Sequence, residues 1–227
     1  MLNDKMLFYN NFAEQFDKRM NMYETNRRLE IIFENLLLNN NIKNAKLLDA
    51  GCGTGWFSKK AYELGADVVS MDLGENLLSI VKKKCNSQRV IGSILDIPFD
   101  KNTFDYVICT EVIEHTVNPK QAVKELSRVL KPGGILILTV PNKIWKWSVI
   151  IANALKIRPY EGFENWVGYY ELKKWIVECN FVIEEFFGFN LIPIFSRVTM
   201  PINKKIDKFC KFISPLMINI GLKARKI

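Results

Sequence analysis

Hydrophobic and polar positions follow two alternating patterns over the first two thirds of the chain. Short apolar runs, typical of buried parallel strands, occur at 46–50, 67–71, 89–94, 104–109 and 135–140. Segments with apolar residues at helical spacing lie between them, at 56–64, 75–84 and 117–130. This alternation predicts a doubly wound α/β fold, in which helices cover both faces of a parallel sheet.

The two ends of the chain follow other patterns. Residues 3–39 carry apolar side chains at helical spacing, which predicts an N-terminal helical cap. After residue 142 we expect a helix at 169–179, a strand at 181–189 and a last apolar strand at 216–224 that returns beside it. The whole chain is therefore predicted to form one mostly parallel, seven-stranded sheet with a C-terminal antiparallel hairpin.

Composition changes this picture little. A chain of 227 residues with 48% apolar and 25% charged residues suits one globular domain. No secretory signal, spanning apolar stretch or Cys-x-x-Cys pair is visible in the sequence. We therefore expect a cytoplasmic protein whose cysteines are reduced thiols.

The positive charge is concentrated late in the chain. The net charge is +8, and residues 143–158 hold four Lys or Arg and no acid, whereas residues 197–227 hold eight and one acid. Both segments are rich in apolar residues, which is typical of helices lying on an anionic lipid surface. Contact with nucleic acid, a cover over an apolar ligand, and packing on the core or on a second subunit remain open.

A glycine turn stands between the first predicted strand and the helix after it. It reads Leu48-Asp49-Ala50-Gly51-Cys52-Gly53-Thr54-Gly55. Gly51 and Gly53 permit a tight turn and the close approach of a ligand, and the following helix N-terminus favours a negative group such as a carboxylate. The third glycine comes one residue too early for a dinucleotide fingerprint, and Asp49 suits an amino group rather than a pyrophosphate. The turn therefore predicts a site for a nucleoside that carries an amino acid.

Two further acids follow successive predicted strands. Asp72 stands where a carboxylate can accept hydrogen bonds from both ribose hydroxyls, and Asp96 can accept one from an adenine amino group. Leu73 and Ile97 would flank the adenine ring. Because the ligand crevice of such a sheet lies at the carboxyl ends of its strands, we expect these residues to form one site with the glycine turn.

These motifs resemble those of the class I S-adenosylmethionine-dependent methyltransferases. The glycine turn resembles their motif I, Asp72 their ribose-binding acid, and Asp96-Ile97 their adenine-binding pair. Lys131-Pro132-Gly133-Gly134 resembles the turn before their fifth strand. The resemblance covers residues 46–142 and implies that S-adenosylmethionine is the cofactor.

Within that superfamily the chain is similar to the coenzyme-Q-type O-methyltransferases. Their segment after the fourth strand resembles residues 109–115, which implies that Thr110 contacts the cofactor. Arg28 stands where that family has an arginine that holds the cofactor carboxylate. The basic stretch after Val140 resembles their membrane-contacting insertion. These likenesses imply a helical cap over 1–45, a cofactor-binding core over 46–142, a basic insertion over 143–160, and an acceptor side over 161–227.

A cluster of polar residues after the predicted strand at 104–109 contains candidate catalytic or metal-binding side chains. Glu111, Glu114 and His115 would share one face if their segment is helical. Two carboxylates and an imidazole can bind a divalent cation such as Mg²⁺, and the resemblance implies a metal site here. Alternatively, His115 acts as a general base together with Glu111 and no metal, or the cluster is only structural.

The predicted activity is methyl transfer from S-adenosylmethionine to a small apolar or lipid-linked acceptor, similar to a quinone precursor. The protein would then contact the inner face of an anionic membrane at its periphery. An RNA-modifying methyltransferase is an alternative, although we find no interleaved aromatic and basic platform for nucleic acid. O- or N-methylation of a soluble sugar or secondary metabolite, and a non-catalytic cofactor-binding subunit, are further alternatives.

Overall fold

The computed structural model describes residues 10, 13, 17, 22–154, 164–193, 196–209 and 211–227, apart from the side chains of 152–154. The described strands are β1 (Lys46–Ala50), β2 (Asp67–Asp72), β3 (Gln88–Ile91), β4 (Phe104–Thr110), β5 (Leu130–Pro141), β6 (Phe181–Phe189) and β7 (Asn219–Lys226). They form one seven-stranded sheet in the order β3-β2-β1-β4-β5-β7-β6.

The sheet confirms the predicted topology. Strands β1 to β5 pair in parallel, whereas β7 lies antiparallel between β5 and β6. The fold is thus a Rossmann-like, doubly wound α/β sheet with a C-terminal antiparallel hairpin. The strand order reverses between the neighbouring strands β1 and β4. The connections that follow these two strands run in opposite directions, which leaves a crevice at the carboxyl ends of the strands.

Helices cover the sheet and fill the connections. The described α-helices are α1 (Met22–Leu29), α2 (Trp56–Glu63), α3 (Glu75–Lys84), α4 (Pro119–Val129), α5 (Lys146–Ala154), α6 (Tyr169–Glu178) and α7 (Thr199–Phe209). A π-helical segment continues α1 over Glu30–Leu36, and 3₁₀ segments occur at Ile113–His115, Lys143–Trp145 and Lys211–Leu216. The local sequence determines where helix α4 begins. The Asn118 side chain accepts a hydrogen bond from the Gln121 amide, and Pro119 follows as the first helical residue.

The core lies on both faces of the sheet. Side chains alternate along each strand, so Leu48 and Val107 pack on one face while Leu47 and Ile108 pack on the other. The four described cysteines are buried free thiols. Among the described residues, no helix has both the length and the apolar character that crossing a bilayer requires.

Some segment boundaries differ from the sequence prediction. Strand β3 ends at Ile91 instead of residue 94, because the chain turns at Gly92 and bridges Ser93 to Asp96. Strand β7 begins at Asn219 instead of residue 216, because the preceding 3₁₀ segment occupies Lys211–Leu216. The predicted helices at both basic segments form as α5 and α7, while residues 155–163 and most of the predicted N-terminal helix before Met22 lie outside the described residues.

Candidate active site

A cavity opens at the carboxyl ends of β1, β2 and β4, where the sequence places its candidate residues. The predicted residues that line it are Arg28, Gly51, Asp72, Leu73, Thr110, Glu111 and His115. They come from helix α1, the glycine turn and the ends of three strands. The topology therefore brings together groups that are up to 87 positions apart in the chain.

The glycine turn forms one wall of the cavity. Gly51, Gly53 and Gly55 all have positive φ values of 76°, 53° and 82°, which side chains other than glycine rarely adopt. A Cβ atom on Gly51 would lie 2.5 Å from both methyl groups of Val112. The missing side chain of Gly51 thus lets the turn pack closely against the loop after β4.

Asp72 is held at the rim of the cavity by backbone amides. Its Oδ2 accepts a hydrogen bond from the Gly53 amide at 2.9 Å, and its Oδ1 accepts one from the Gly74 amide at 2.9 Å. Burial raises the pKa of this carboxyl, while the amide hydrogen bonds oppose the shift. Each carboxylate oxygen keeps a second lone pair, so Asp72 can still accept hydrogen bonds from two ligand hydroxyls.

Asp49 lies beneath the turn instead of in the cavity, which corrects the expectation that it meets a ligand amino group. Side chains alternate along β1, and this alternation points Asp49 towards helix α2, where its Oδ2 accepts a 2.6 Å hydrogen bond from the Ser58 hydroxyl. The Ser70 and Ser87 hydroxyls continue this buried chain at 2.7 Å steps. Burial raises the pKa of Asp49 to about 7.

Asp96 and Ile97 do not line the cavity, and Ser93 and Ile94 do so in their place. After the turn at Ser93 the chain runs back towards the amino ends of the strands. Asp96 is exposed there, and Ile97 borders a separate cleft next to Lys46, the first residue of β1. The expectation that Asp96 and Ile97 contact the adenine is therefore wrong in position, because it placed the end of β3 three residues too late.

Arg28 forms the positively charged end of the cavity. Arg28 is 4% exposed, and its Nη1 donates a 2.7 Å hydrogen bond to Glu24 and lies 3.8 Å from the Glu111 carboxylate. Its Nε is buried and has no hydrogen-bond partner among the described residues. A buried donor without a partner is costly, so this group fits an acceptor that a ligand supplies.

Glu111, Glu114 and His115 do not share one helical face, which corrects the sequence prediction. Glu111 has a φ of 54° and precedes the 3₁₀ segment that holds the other two. Burial raises the pKa of both carboxyls, and repulsion between them raises that of Glu114 further. Glu114 is buried behind His115, with its Oε1 3.8 Å from His115 Nε2. His115 and Glu111 line the cavity, whereas Glu114 does not.

Sequence comparisons show which known proteins this chain is similar to. A profile of the methyltransferase domain family matches residues 48–138. An uncharacterized protein of Methanocaldococcus jannaschii is 42% identical over 202 residues, which cover 80% of this chain and 82% of that protein. The ubiquinone biosynthesis O-methyltransferase of Glaesserella parasuis is 28% identical over 193 residues, which cover 78% and 80% of the two chains.

This chain belongs to the class I S-adenosylmethionine-dependent methyltransferases. A solved methyltransferase of the same cofactor class from Mesorhizobium loti has the same fold, with a TM-score of 0.65 at 15% identity over 82% of this chain and 93% of that one. The methyltransferase is therefore an enzyme that uses S-adenosylmethionine, and its resemblance to the coenzyme-Q-type enzymes extends over most of its length.

The cavity of the methyltransferase fits this cofactor. Arg28 has a buried Nε–H that suits the carboxylate of the amino acid, and Asp72 has lone pairs for the ribose hydroxyls. A Cβ on Gly51 would collide with Val112, so glycine lets the turn and the loop after β4 meet at the wall of the cavity. The cofactor supplies a methyl group on a sulfonium leaving group, and the protein binds and orients it.

The acidic cluster of the methyltransferase does not fit Mg²⁺. Among the described residues, no group of three His, Cys, Asp or Glu side chains is arranged to hold a metal ion. The Glu111 carboxylate lies 3.8 Å from the guanidinium of Arg28 and accepts a 3.2 Å hydrogen bond from Asn219. A fixed positive charge at this distance opposes a divalent cation, so the predicted metal site is not supported.

The sequence prediction missed one residue that braces the cofactor turn of the methyltransferase. Asp17 accepts hydrogen bonds from the Thr54 hydroxyl at 2.6 Å, the Trp56 indole at 3.0 Å and the Lys84 ammonium at 2.6 Å. Burial opposes its charge, but the hydrogen bonds from Lys84, Thr54 and Trp56 lower its pKa. No local motif marks Asp17, because its partners stand 37 to 67 positions further along the chain.

Proposed function

We propose that this methyltransferase methylates a hydroxyl oxygen of a small, apolar or lipid-linked acceptor similar to a quinone precursor. The observation that carries the proposal is an exposed apolar surface at the same edge of the sheet as the cavity. We call this surface the apolar rim, and it consists of Trp147, Ile150, Phe212 and Leu216.

The position of the apolar rim supports an apolar acceptor. Strand β5 ends at Pro141, at the same edge of the sheet as the cavity, and leads through the 3₁₀ segment Lys143–Trp145 into α5. The indole of Trp145 donates a 2.9 Å hydrogen bond to the Leu216 carbonyl, which joins α5 to the 3₁₀ segment of the second basic region. Exposed Lys146 and Lys211 stand beside these apolar side chains, as in helices that lie at a membrane surface.

The likeness to ubiquinone biosynthesis O-methyltransferases supports the same acceptor class. Several such enzymes match over more than three quarters of this chain, at 25–28% identity. We therefore extend this acceptor class to the protein, together with peripheral contact between the apolar rim and an anionic membrane.

His115 is the proposed general base. It lines the cavity, and the buried Glu114 carboxyl stands 3.8 Å behind its Nε2. His115 takes the proton from the acceptor hydroxyl as the oxygen forms its bond to the methyl carbon and the carbon–sulfur bond breaks. The products are a methyl ether, S-adenosylhomocysteine and a proton on His115. Because the leaving group is already good, positioning and this proton transfer are the contributions that the protein makes.

A label-transfer experiment tests the proposal. The protein is incubated with S-adenosylmethionine that carries a labelled methyl group and with an extract of the host cell, which is then separated into lipid, aqueous and RNA fractions. We expect label in the lipid fraction, in the presence and absence of EDTA, and none with the Asp72→Ala variant. Label that appears only in the aqueous or the RNA fraction would overturn the proposed acceptor, and loss of lipid label with EDTA would overturn the metal-independent mechanism.

A further inference from the structure

A network of buried polar contacts connects helix α7, near the C-terminal end of the sequence, with the charged end of the cavity. It begins at Asp207, whose Oδ2 accepts a 2.7 Å hydrogen bond from Arg27 of helix α1. The other oxygen of Asp207 accepts a 2.8 Å hydrogen bond from the backbone amide of Asn190. The side chains of Arg27 and Asp207 are each 8% exposed, so this ion pair is almost completely removed from water.

The network continues to the cavity through two buried side-chain amides. The Asn190 side chain donates to Asn219 Oδ1 at 3.4 Å, and Asn219 donates to Glu111 Oε2 at 3.2 Å. Asn190 and Asn219 are both buried, and Asn190 has a φ of 59°. Because buried polar groups are costly to leave without partners, each contact restricts the position of the next one.

The network has two arms, both of which start at Asp207 and meet at Arg28. One arm ends at Arg27, the immediate neighbour of Arg28 on helix α1. The other arm ends at Glu111, whose carboxylate lies 3.8 Å from Arg28 Nη1. Asp207 therefore restrains two groups at this end of the cavity. Through Arg27 it restrains the backbone that carries Arg28, and through Asn190 and Asn219 it restrains the Glu111 carboxylate that faces Arg28.

We propose that Asp207 of helix α7 is a positioning residue for the end of the cavity that binds the amino acid of the cofactor. Asp207 does not line the cavity and acts through Arg27, Asn219 and Glu111. It keeps Glu111 from pairing more closely with Arg28, and so leaves the Arg28 Nε–H available to a carboxylate of the ligand. The inference rests on the assignment of Arg28 to the cofactor carboxylate and extends that site to a helix outside the glycine-turn motif.

The test compares two ligands that differ in the group concerned. S-adenosylhomocysteine carries the amino acid, whereas 5′-methylthioadenosine has the adenosine and the sulfur without it. For Asp207→Asn we expect the affinity for S-adenosylhomocysteine, measured by titration calorimetry, to fall about tenfold. The affinity for 5′-methylthioadenosine should change less than about twofold, because its binding does not involve Arg28.

A matched control comes from the same pair of helices. Lys204 of α7 forms an ion pair with Glu30 at 2.5 Å, but its side chain is 47% exposed. Lys204→Gln should leave the affinity for both ligands unchanged, because exposed ion pairs contribute little. If Lys204→Gln and Asp207→Asn lower both affinities alike, α7 has only a general structural role and the proposal is wrong.

A second variant keeps the proposal testable if loss of the buried ion pair prevents folding. Asn219→Ala removes the hydrogen bonds that its side chain makes with Asn190 and Glu111, and leaves the Arg27–Asp207 pair intact. It should lower the affinity for S-adenosylhomocysteine by several fold, again without affecting 5′-methylthioadenosine. Equal affinity of both variants and the wild type for S-adenosylhomocysteine would overturn the inference.

Arg28→Ala separates this inference from the assignment on which it depends. Loss of S-adenosylhomocysteine binding, with 5′-methylthioadenosine binding retained, would show that Arg28 binds the amino acid. If Arg28→Ala behaves in this way but the Asp207 and Asn219 variants do not, only the positioning role fails. If Arg28→Ala affects neither ligand selectively, the carboxylate assignment itself fails.

Discussion

At the residue scale, the chemistry of this methyltransferase depends on how each polar side chain is buried. Asp72 and Arg28 face the cavity with part of their hydrogen-bonding capacity unused. Asp49, in contrast, lies outside the cavity, where its Oδ2 joins the turn to helix α2 and its Oδ1 has no partner among the described residues. The sequence assigned Asp72, Arg28 and Asp49 to the cofactor. The structure gives them three different environments, and their functions differ accordingly.

The role of His115 can be measured directly. His115→Gln should lower kcat by at least about tenfold, because general-base catalysis commonly contributes this much or more. Its affinity for S-adenosylhomocysteine should stay within about twofold of the wild type, because His115 is assigned to the acceptor. Steady-state kinetics and titration calorimetry test the two statements, and unchanged turnover would exclude a catalytic role.

Asp49 makes the stability of the protein depend on pH. Its folded-state pKa of about 7 is above the unfolded value of about 4, so the folded state binds more protons between these pH values. The free energy of unfolding therefore falls as the pH rises through this window, by at most about 4 kcal/mol from this group.

The variant Asp49→Asn should remove this contribution while keeping an oxygen that accepts from Ser58. Urea denaturation at pH 5 and pH 8 should show a smaller loss of stability with rising pH than in the wild type. Because other buried carboxyls titrate in both proteins, only the difference between the two proteins is assigned to Asp49. An identical pH dependence of both proteins would contradict the prediction.

At the element scale, segments remote from the glycine turn hold it in place. Asp17 binds Thr54 and Trp56 from the N-terminal side, and helix α7 reaches α1 through the Arg27–Asp207 pair. Gly51 and Val112 show the same principle at closer range, since the loop after β4 packs into the space where a Cβ would lie. The turn has its local shape from its glycines and its position from these neighbours.

The contribution of Asp17 should differ from that of Asp207. Asp17→Ala removes hydrogen bonds from Thr54, Trp56 and Lys84, so we expect weaker binding of both S-adenosylhomocysteine and 5′-methylthioadenosine. The loss should be about threefold to tenfold, since the hydrogen bonds act on the turn and not on the charged end. Glu63→Ala is the control, because its ion pair with Lys59 is exposed on helix α2. If the loss is selective for one ligand, Asp17 acts on only part of the site.

At the scale of the whole molecule, the net charge of +8 is only partly available to a partner. Lys204, Lys223 and Arg225 form ion pairs with Glu30 or Glu184, and Lys226 donates to the Leu130 carbonyl. The positive charge of the last 31 residues is therefore partly neutralised within the fold. The bases beside the apolar rim, such as Lys146 and Lys211, remain exposed.

Vesicle flotation tests the proposed membrane contact of the apolar rim. The wild type should float with vesicles of mixed phosphatidylcholine and phosphatidylserine, and the fraction bound should fall as salt is added. The double variant Trp147→Ser/Phe212→Ser should lose most of this binding, because these side chains are 57% and 82% exposed. Val182→Ser, which changes an exposed apolar residue of β6, should bind like the wild type. Absence of wild-type binding would remove the membrane contact from the proposed function.

Local sequence pattern was sufficient to predict the elements and much of the cavity. Short apolar runs alternate with helical spacing, so five parallel strands, the glycine turn and the position of Asp72 could be predicted before any contact was known. Such patterns depend on neighbours within one strand or one turn, where backbone sterics and burial of one face decide the conformation. The class of enzyme follows from the same local motifs.

Tertiary structure decided the direction of side chains and the identity of distant partners. The end of β3 determines that Ser93 and Ile94, and not Asp96 and Ile97, reach the cavity. The left-handed backbone of Glu111 separates it from Glu114 and His115, which the sequence had placed on one helical face. A shift of a few residues or one unusual backbone angle is enough to turn a side chain to another surface.

The polar contacts that support the cofactor site lay beyond any reading of the sequence. Asp17 and Asp207 are single acids without a motif, and each gains its role from distant partners, Thr54 at 37 positions from Asp17 and Arg27 at 180 positions from Asp207. Sequence by itself determined the fold, because it follows from local burial, and it indicated the class of cofactor through motifs that resemble those of a known family. Only the folded chain decided which buried charges meet, because the energy of such a contact depends on distance and on exclusion of water.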